Sequence, residues 1–260
     1  MKSLDFMIIG AQKAGTTALS HFLAQHPAVA MAQGKEVHLF NTQEVVESWD
    51  SEKINHFYSS FFQGVSTDLV WGEATPIYLY WPPIIPALKK YKASLKVIVI
   101  LRDPVERAIS QYQMESVRKK EWLPLWLALL FEPLRLALAG RELMHAHKCY
   151  SYVARGFYAQ QLERLREHFG DDQILIIENN ELRQSHTKTL QRVYKFLSLE
   201  AHEIAPELVF EGEYAQRNHW GMNFLIVPLL RWRFRKANRK LKKILTDMGV
   251  SCNWHWLAAE

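Results

Sequence analysis

Cysteine is almost absent from these 260 residues: Cys149 and Cys252 are the only two. A small secreted domain stapled by disulfides needs several paired cysteines, so that class is excluded. Two thiols fit a reduced, cytoplasmic setting. Long apolar runs are also missing. The first apolar stretch, FMII after MKSLD, is four residues long before Gly10 breaks it, too short for the core of a signal peptide. The richest stretch, WLPLWLALLFEPLRLALA at 122–139, is interrupted by Pro124, Glu132, Pro133 and Arg135. A membrane span needs about 20 nearly uninterrupted apolar residues. Charge of one sign is scarce too: 32 Lys+Arg against 27 Asp+Glu leave a net +5. That balance suits an anionic ligand or surface but is too mild to make nucleic acid a partner.

What the chain does have is 48% hydrophobic residues, enough at this length to bury one sizeable core. SLKVIVILRDP at 94–104 runs through Val, Ile and Leu without alternation, the mark of a strand covered on both faces. DFMIIG, LVWGEATPIYLY at 69–80 and DDQILIIENNEL, with its strand at 173–178, carry further strand signals. Helical patterns lie between them: TTALSHFLAQHP closed by Pro27, part of 43–63, a helix from Pro104, then 153–168 and 184–198. This alternation predicts an α/β fold, a single domain with a central parallel β-sheet flanked by helices. The domain is expected to span 1–260, with a helical apolar insertion at about 119–150 and a basic C-terminal helix at about 228–248. That helix has apolar spacing at Leu241, Ile244, Leu245 and Met248.

Three segments carry candidate chemistry. In GAQKAGTT, Gly10 and Gly15 stand at the spacing of a phosphate-binding Walker loop, but Thr16 occupies the place of the expected lysine. No magnesium ligand is evident. Strand, loop and helix still follow one another, so backbone N–H groups at the helix start can cradle a phosphate. Thr16 and Thr17 add hydroxyl donors, and Lys13 can reach a transferable group. A plain helix cap with a surface lysine is the structural alternative. In VILRDPVERAISQYQ, Arg102 follows a buried strand, where open sheets place ligands, and Ser110 comes two helical turns later. Arg102 offers a charged fork to a phosphate or else pairs with Asp103 or Glu106. In GKEVHLF, Lys35, Glu36 and His38 gather a cation, a carboxylate and an imidazole near the sheet edge. Extended geometry would send Glu36 and His38 to one face, where either could take a proton. A salt-bridged edge strand is the alternative. EATPIY adds Glu73.

GAQKAGTT, GKEVHLF, GEATPIY and KVIVILRDPVERAISQYQ stand in the order seen in the PAPS-dependent sulfotransferases. The chain most resembles the branch of heparan sulfate sulfotransferases and their bacterial relatives. The resemblance runs on through GFYAQQLERLREHFGDDQILIIENNEL and KTLQRVYKFLSL and fades after about residue 210. It implies a P-loop nucleotide-kinase-like fold, 3′-phosphoadenosine-5′-phosphosulfate (PAPS) as donor, PAP as product and no metal. Gln12, Lys13, Ala14, Gly15, Thr16 and Thr17 would hold the 5′-phosphosulfate, with Lys13 on the transferred group. Arg102 and Ser110 would hold the 3′-phosphate. Glu36 matches the general base of the glycan-modifying branch, His38 is the second candidate, and Lys35 would sit near the sulfuryl oxygens. Arg217, and more weakly His219, in YAQRNHWGMN match a loop that closes on the nucleotide. Tyr158 packs at the nucleotide site or in the core. Cys149 and Cys252 are too far apart in sequence to match a disulfide common in the animal branch. The expected acceptor is a hydroxyl of a carbohydrate or glycolipid, with a lipid or other small molecule as the apolar alternative. Peripheral membrane contact would run through 122–139 or 231–243. The competing functional readings are a Mg-ATP-dependent small-molecule kinase and a non-catalytic nucleotide-binding regulator.

Overall fold

The computed structural model describes residues 1–34, 36–139, 145–207 and 223–258. Five strands and twelve α-helices alternate along the described chain. They are β1 Phe6–Gly10, α1 Thr16–Ala24, β2 Val29–Met31, α2 Gln43–Ser48, α3 Ser51–Ser59, β3 Val70–Ala74, α4 Ile84–Tyr91 and β4 Lys96–Leu101. Then come α5 Pro104–Val117, α6 Leu125–Leu138, α7 His145–Cys149, α8 Tyr158–His168, β5 Ile174–Glu178 and α9 Asn179–Gln184. The last three are α10 His186–Leu197, α11 Asn223–Asp247 and α12 His255–Ala258. Two compact units result, Met1–Leu101 with Arg164–Phe210 and Arg102–Glu163 with Glu211–Glu260.

The first unit holds the sheet. All its pairings are parallel, in the order β2-β3-β1-β4-β5. Every residue of β1 is buried, and β4 is buried from Val97 onward, as its unbroken aliphatic run predicts. The expected central parallel sheet flanked by helices is therefore present. β2, a three-residue edge strand pairing Val29 with Val70, lay outside the strands read from the sequence. One glycine sets the β1–β3 contact. Gly72 pairs with Phe6, and a Cβ on Gly72 would fall 2.1 Å from Phe6 Cζ. Only glycine lets that ring lie across the strand. α1 and α10 pack against strands of the sheet. α10 does so through Leu190, Val193, Tyr194 and Leu197, a stripe at helical spacing.

The second unit is helical. Asp103 caps α5 by accepting from the Val105 N–H at 2.8 Å, and Pro104 takes the first helical position. α5, α6 and α11 meet in one core through Val105, Ala108, Leu125, Ala128, Leu230 and Phe234. Arg107 is fully buried there; it donates to Gln111 Oε1 at 2.8 Å and to the Tyr152 carbonyl. The apolar stretch 122–139 folds as α6. The basic C-terminal segment is α11, with Leu241, Ile244 and Leu245 buried at the expected spacing. The predicted helix over 153–168 is shorter: a 3-10 turn at Ala154–Gly156 precedes α8. Both cysteines are free thiols.

Candidate active site

The loop between β1 and α1 is shaped by backbone requirements that the two glycines and their neighbours satisfy. A Cβ on Gly10 would lie 2.6 Å from Leu79 Cβ, so only glycine passes at that point. The loop then folds back, with the Ala14 N–H donating to the Ala11 carbonyl at 3.1 Å. Lys13 at φ 67 and Gly15 at φ 102 both occupy left-handed backbone. From the far end of β5, Asn179 Nδ2 donates to the Ala14 carbonyl at 2.7 Å and pins the loop. Gly15 supplies no side-chain cap to α1. The first N–H groups of the helix therefore point outward with the positive end of its dipole, a ready anion cradle. Gln12 and Lys13 are half-buried beside it.

A cavity opens at this helix start. It is lined by Thr16, Thr17 and Ser20 of α1, by Glu36 from the following loop and by Glu73 of β3, with the small residues Ala32, Gly34 and Ala74 keeping it open. The loop hydroxyls and Glu36, proposed from separate stretches of sequence, thus share one site. Ser20, Met31 and Gly34 were not read from the sequence, although Ser20 follows Thr16 and Thr17 at helical spacing.

The described residues 36–40 of GKEVHLF do not form an extended edge strand. Glu36 at φ 57 and His38 at φ 58 are both left-handed, and a 3-10 turn, Leu39–Asn41, follows at once. The two side chains still converge, by this turn geometry rather than by strand alternation: His38 Nε2 lies 3.1 Å from Glu36 Oε2. Asn41 Nδ2 donates to His38 Nδ1 at 2.8 Å, which leaves the proton of a neutral ring on Nε2, facing the carboxylate. Lys35, Arg217 and His219 lie outside the described residues.

Behind this pair sits a second carboxyl. Glu73 is 1% exposed; its Oε2 accepts from the Thr75 hydroxyl at 2.8 Å. Its Oε1 is buried with no hydrogen-bond partner. Burial pushes its pKa up to about 8; the Thr75 hydrogen bond pulls the other way, the Glu36 charge pushes it further up and the nearby Val37 backbone N–H lowers it again. At neutral pH Glu73 is thus largely protonated, and Glu36 faces a neutral neighbour. Thr75 Oγ1 also accepts from the His38 backbone N–H at 3.4 Å, joining the two layers.

In the second unit, Arg102 follows β4 directly in the chain and Ser110 is half-buried on α5. The Arg102 guanidinium lies on Glu106 Oε2 at 3.0 and 3.1 Å, so the ion pair between the residue after β4 and the first turn of α5 is formed. Ser110 is one turn beyond Glu106 on the same face of α5. Tyr158 is buried and donates to the Arg102 carbonyl at 3.0 Å; it anchors the residue rather than lining an open site.

Comparison with known proteins extends this picture. A family model for the sulfotransferase domain matches residues 3–213. The human heparan sulfate glucosamine 3-O-sulfotransferase 3B1 is 31% identical over 193 residues, 74% of this chain and 45% of that protein. The membrane-associated sulfotransferase kil1 of Dictyostelium discoideum is 38% identical over 121 residues, 46% of this chain and 24% of that protein. The chain thus spans less than half the length of these two relatives. A crystal structure of a sulfotransferase from Alicyclobacillus acidocaldarius superposes with a TM-score of 0.75 at 24% identity, covering 98% of this chain and 99% of that one. At that identity the likeness speaks for the fold.

Proposed function

The chain belongs to the sulfotransferase domain family, and from that premise we propose that it moves a sulfuryl group from PAPS to an acceptor hydroxyl. The observation that carries the proposal is the shared cavity: an uncapped helix start with Thr16 and Thr17 opens onto the same space as Glu36. The donor brings a sulfur already bonded to a good phosphate leaving group. The protein's task is then positioning, charge stabilisation and removal of one proton.

Glu36 accepts the proton of the attacking hydroxyl as the new O–S bond forms and the bond from sulfur to the phosphate oxygen breaks. His38, at 3.1 Å from Glu36, holds that carboxylate in place; to serve as the alternative base its Nδ1 would first have to exchange the Asn41 amide for the acceptor's proton. Lys13 and the backbone N–H groups of residues 12–17 stabilise charge gathering on the departing phosphate. Lys35 is assigned to the sulfuryl oxygens. Arg102 and Ser110 are assigned to the 3′-phosphate, which Arg102 would bind by exchanging its Glu106 partner for a phosphate. Arg217 is assigned to closure of the nucleotide site. Neutral Glu73 limits the negative charge that a highly anionic donor meets.

The heparan sulfate relatives are named for a glycan acceptor, which supports a carbohydrate hydroxyl here. The membrane-associated name of the Dictyostelium relative supports extending the class to a glycolipid. The test is transfer from sulfur-labelled PAPS across a panel of glycans, glycolipids, sterols and phenols. Glu36→Gln is expected to lower turnover by roughly 10²–10⁴-fold while PAP affinity stays within about threefold. Full turnover by that variant at saturating donor would remove Glu36 from the reaction.

A further inference from the structure

α6 is built inside out. Its only two charged residues, Glu132 and Arg135, turn toward the protein. Glu132 is 2% exposed and accepts from the backbone N–H groups of Val153 and Ala154 at 2.7–3.0 Å. Arg135 forks onto Glu121, which is itself buried. The outward face is wholly apolar. Trp126, Leu130, Leu134 and Leu138 follow one another at four-residue spacing and are 44, 63, 55 and 80% exposed; Trp122, just before the helix, is 80% exposed. Ordinary surface helices do the reverse and put their charges in water. A large apolar face without a single ion on it marks an interaction site.

α11 shares the same buried core, through Ile226, Leu230 and Phe234. Its opposite face opens with Leu225, Leu229 and Trp232, exposed by 60, 59 and 70%. At helical spacing the same face continues as Lys236, Arg239, Lys240 and Lys243. Residues 231–243 carry eight exposed Lys and Arg and no acid.

We infer that the outward face of α6 and the first turns of α11 seat in the interfacial layer of a bilayer rich in anionic lipid, with the basic turns of α11 over its headgroups. Large apolar and tryptophan side chains beside a dense cationic stretch match the headgroup–acyl boundary. α6 is too short to cross: 14 residues rise about 21 Å against a hydrocarbon core of about 30 Å. Among the described residues no helix is long and apolar enough to span a membrane. A second copy is the poorer occupant, because a two-fold pairing of these faces would bring two strongly cationic stretches together, and Glu163 on Lys240 offsets one charge of the eight on each.

The test is co-sedimentation of the full chain with phosphatidylcholine vesicles and with vesicles containing about 30% phosphatidylserine. Binding to the anionic vesicles at least tenfold tighter than to the neutral ones, and weakened by added salt, is expected. Trp126→Ser/Leu130→Ser/Leu134→Ser is expected to lose roughly a hundredfold or more. Lys236→Glu/Lys243→Glu is expected to lose more than about tenfold on anionic vesicles only. All five positions are exposed, so both variants keep the core. A chain that stays in the supernatant with anionic lipid, or a triple variant that binds undiminished, overturns the inference. So does concentration-dependent self-association in lipid-free buffer that the triple variant abolishes, which would assign the face to a second copy.

Discussion

Replacing Glu73 by glutamine should uncouple stability from pH in a calculable way. Its carboxyl is held at about 8 in the folded protein, chiefly by burial, against 4.5 in an exposed chain. Between those values the folded state keeps a proton that the unfolded state has released. Stability therefore falls as pH rises through this window, by about 1.4 kcal/mol per pH unit from this one group. The whole effect, complete once pH exceeds the folded value, is roughly 5 kcal/mol. The Glu73→Gln side chain has no such titration. Its amide oxygen can take the place of Oε2 and go on accepting from Thr75 Oγ1, at 2.8 Å in the parent. Its amide nitrogen would sit where the unpartnered Oε1 is now, shifting the baseline by an amount that does not depend on pH. Urea unfolding of both proteins at pH 6, 7, 8 and 9 isolates the slope. The stability difference between variant and parent should grow in the variant's favour by about 1.4 kcal/mol per unit up to pH 8 and then level off. Parallel stability curves for the two proteins over this range would refute the reasoning.

The same carboxyl should show in kinetics: above about pH 8 the donor KM of the parent rises, since a second negative charge then faces the anionic donor, while that of Glu73→Gln rises less. Gly72→Ala drives a methyl to within 2.1 Å of the buried Phe6 ring and should destabilise the protein by about 3 kcal/mol, read as a lower Tm. Gly15→Ala meets both a φ of 102° and Asn179 Nδ2 at 2.6 Å. A loss of about 1–2 kcal/mol in stability is expected, together with weaker PAP binding in a titration. Arg102→Ala should weaken PAP binding by roughly 10–100-fold with little change in Tm, because the ion pair it leaves is half exposed. Glu132→Ala strands the Val153 and Ala154 N–H groups and should cost about 3 kcal/mol in chemical denaturation.

The sheet was legible because its evidence is local. β4 announces itself as six residues with no polar interruption after Lys96, and GAQKAGTT places a tight turn between a strand and a helix. β2 was not legible, since three residues after Pro27 carry no pattern long enough to separate strand from coil. The GKEVHLF segment failed as a strand for a different reason. Glu36 and His38 take left-handed backbone, which side-chain chemistry rarely announces outside glycine and asparagine. Glu73 was visible as a carboxylate, but its proton is held by burial among residues distant in sequence. For α6 composition gave the helix and could not give its orientation. In a helix apolar almost all round, the direction is set by where Glu132 and Arg135 find partners, 21 and 14 residues away in the chain.

The nucleotide itself offers the most direct test of sulfuryl transfer. Calorimetric titration with PAP in a metal chelator, followed by ATP with and without magnesium, separates the donor classes in one experiment. Metal-independent PAP binding, with ATP binding much more weakly, is the expected result. ATP binding that requires magnesium, with no heat from PAP, would contradict the assignment and return the cavity at Thr16 and Glu36 to kinase chemistry.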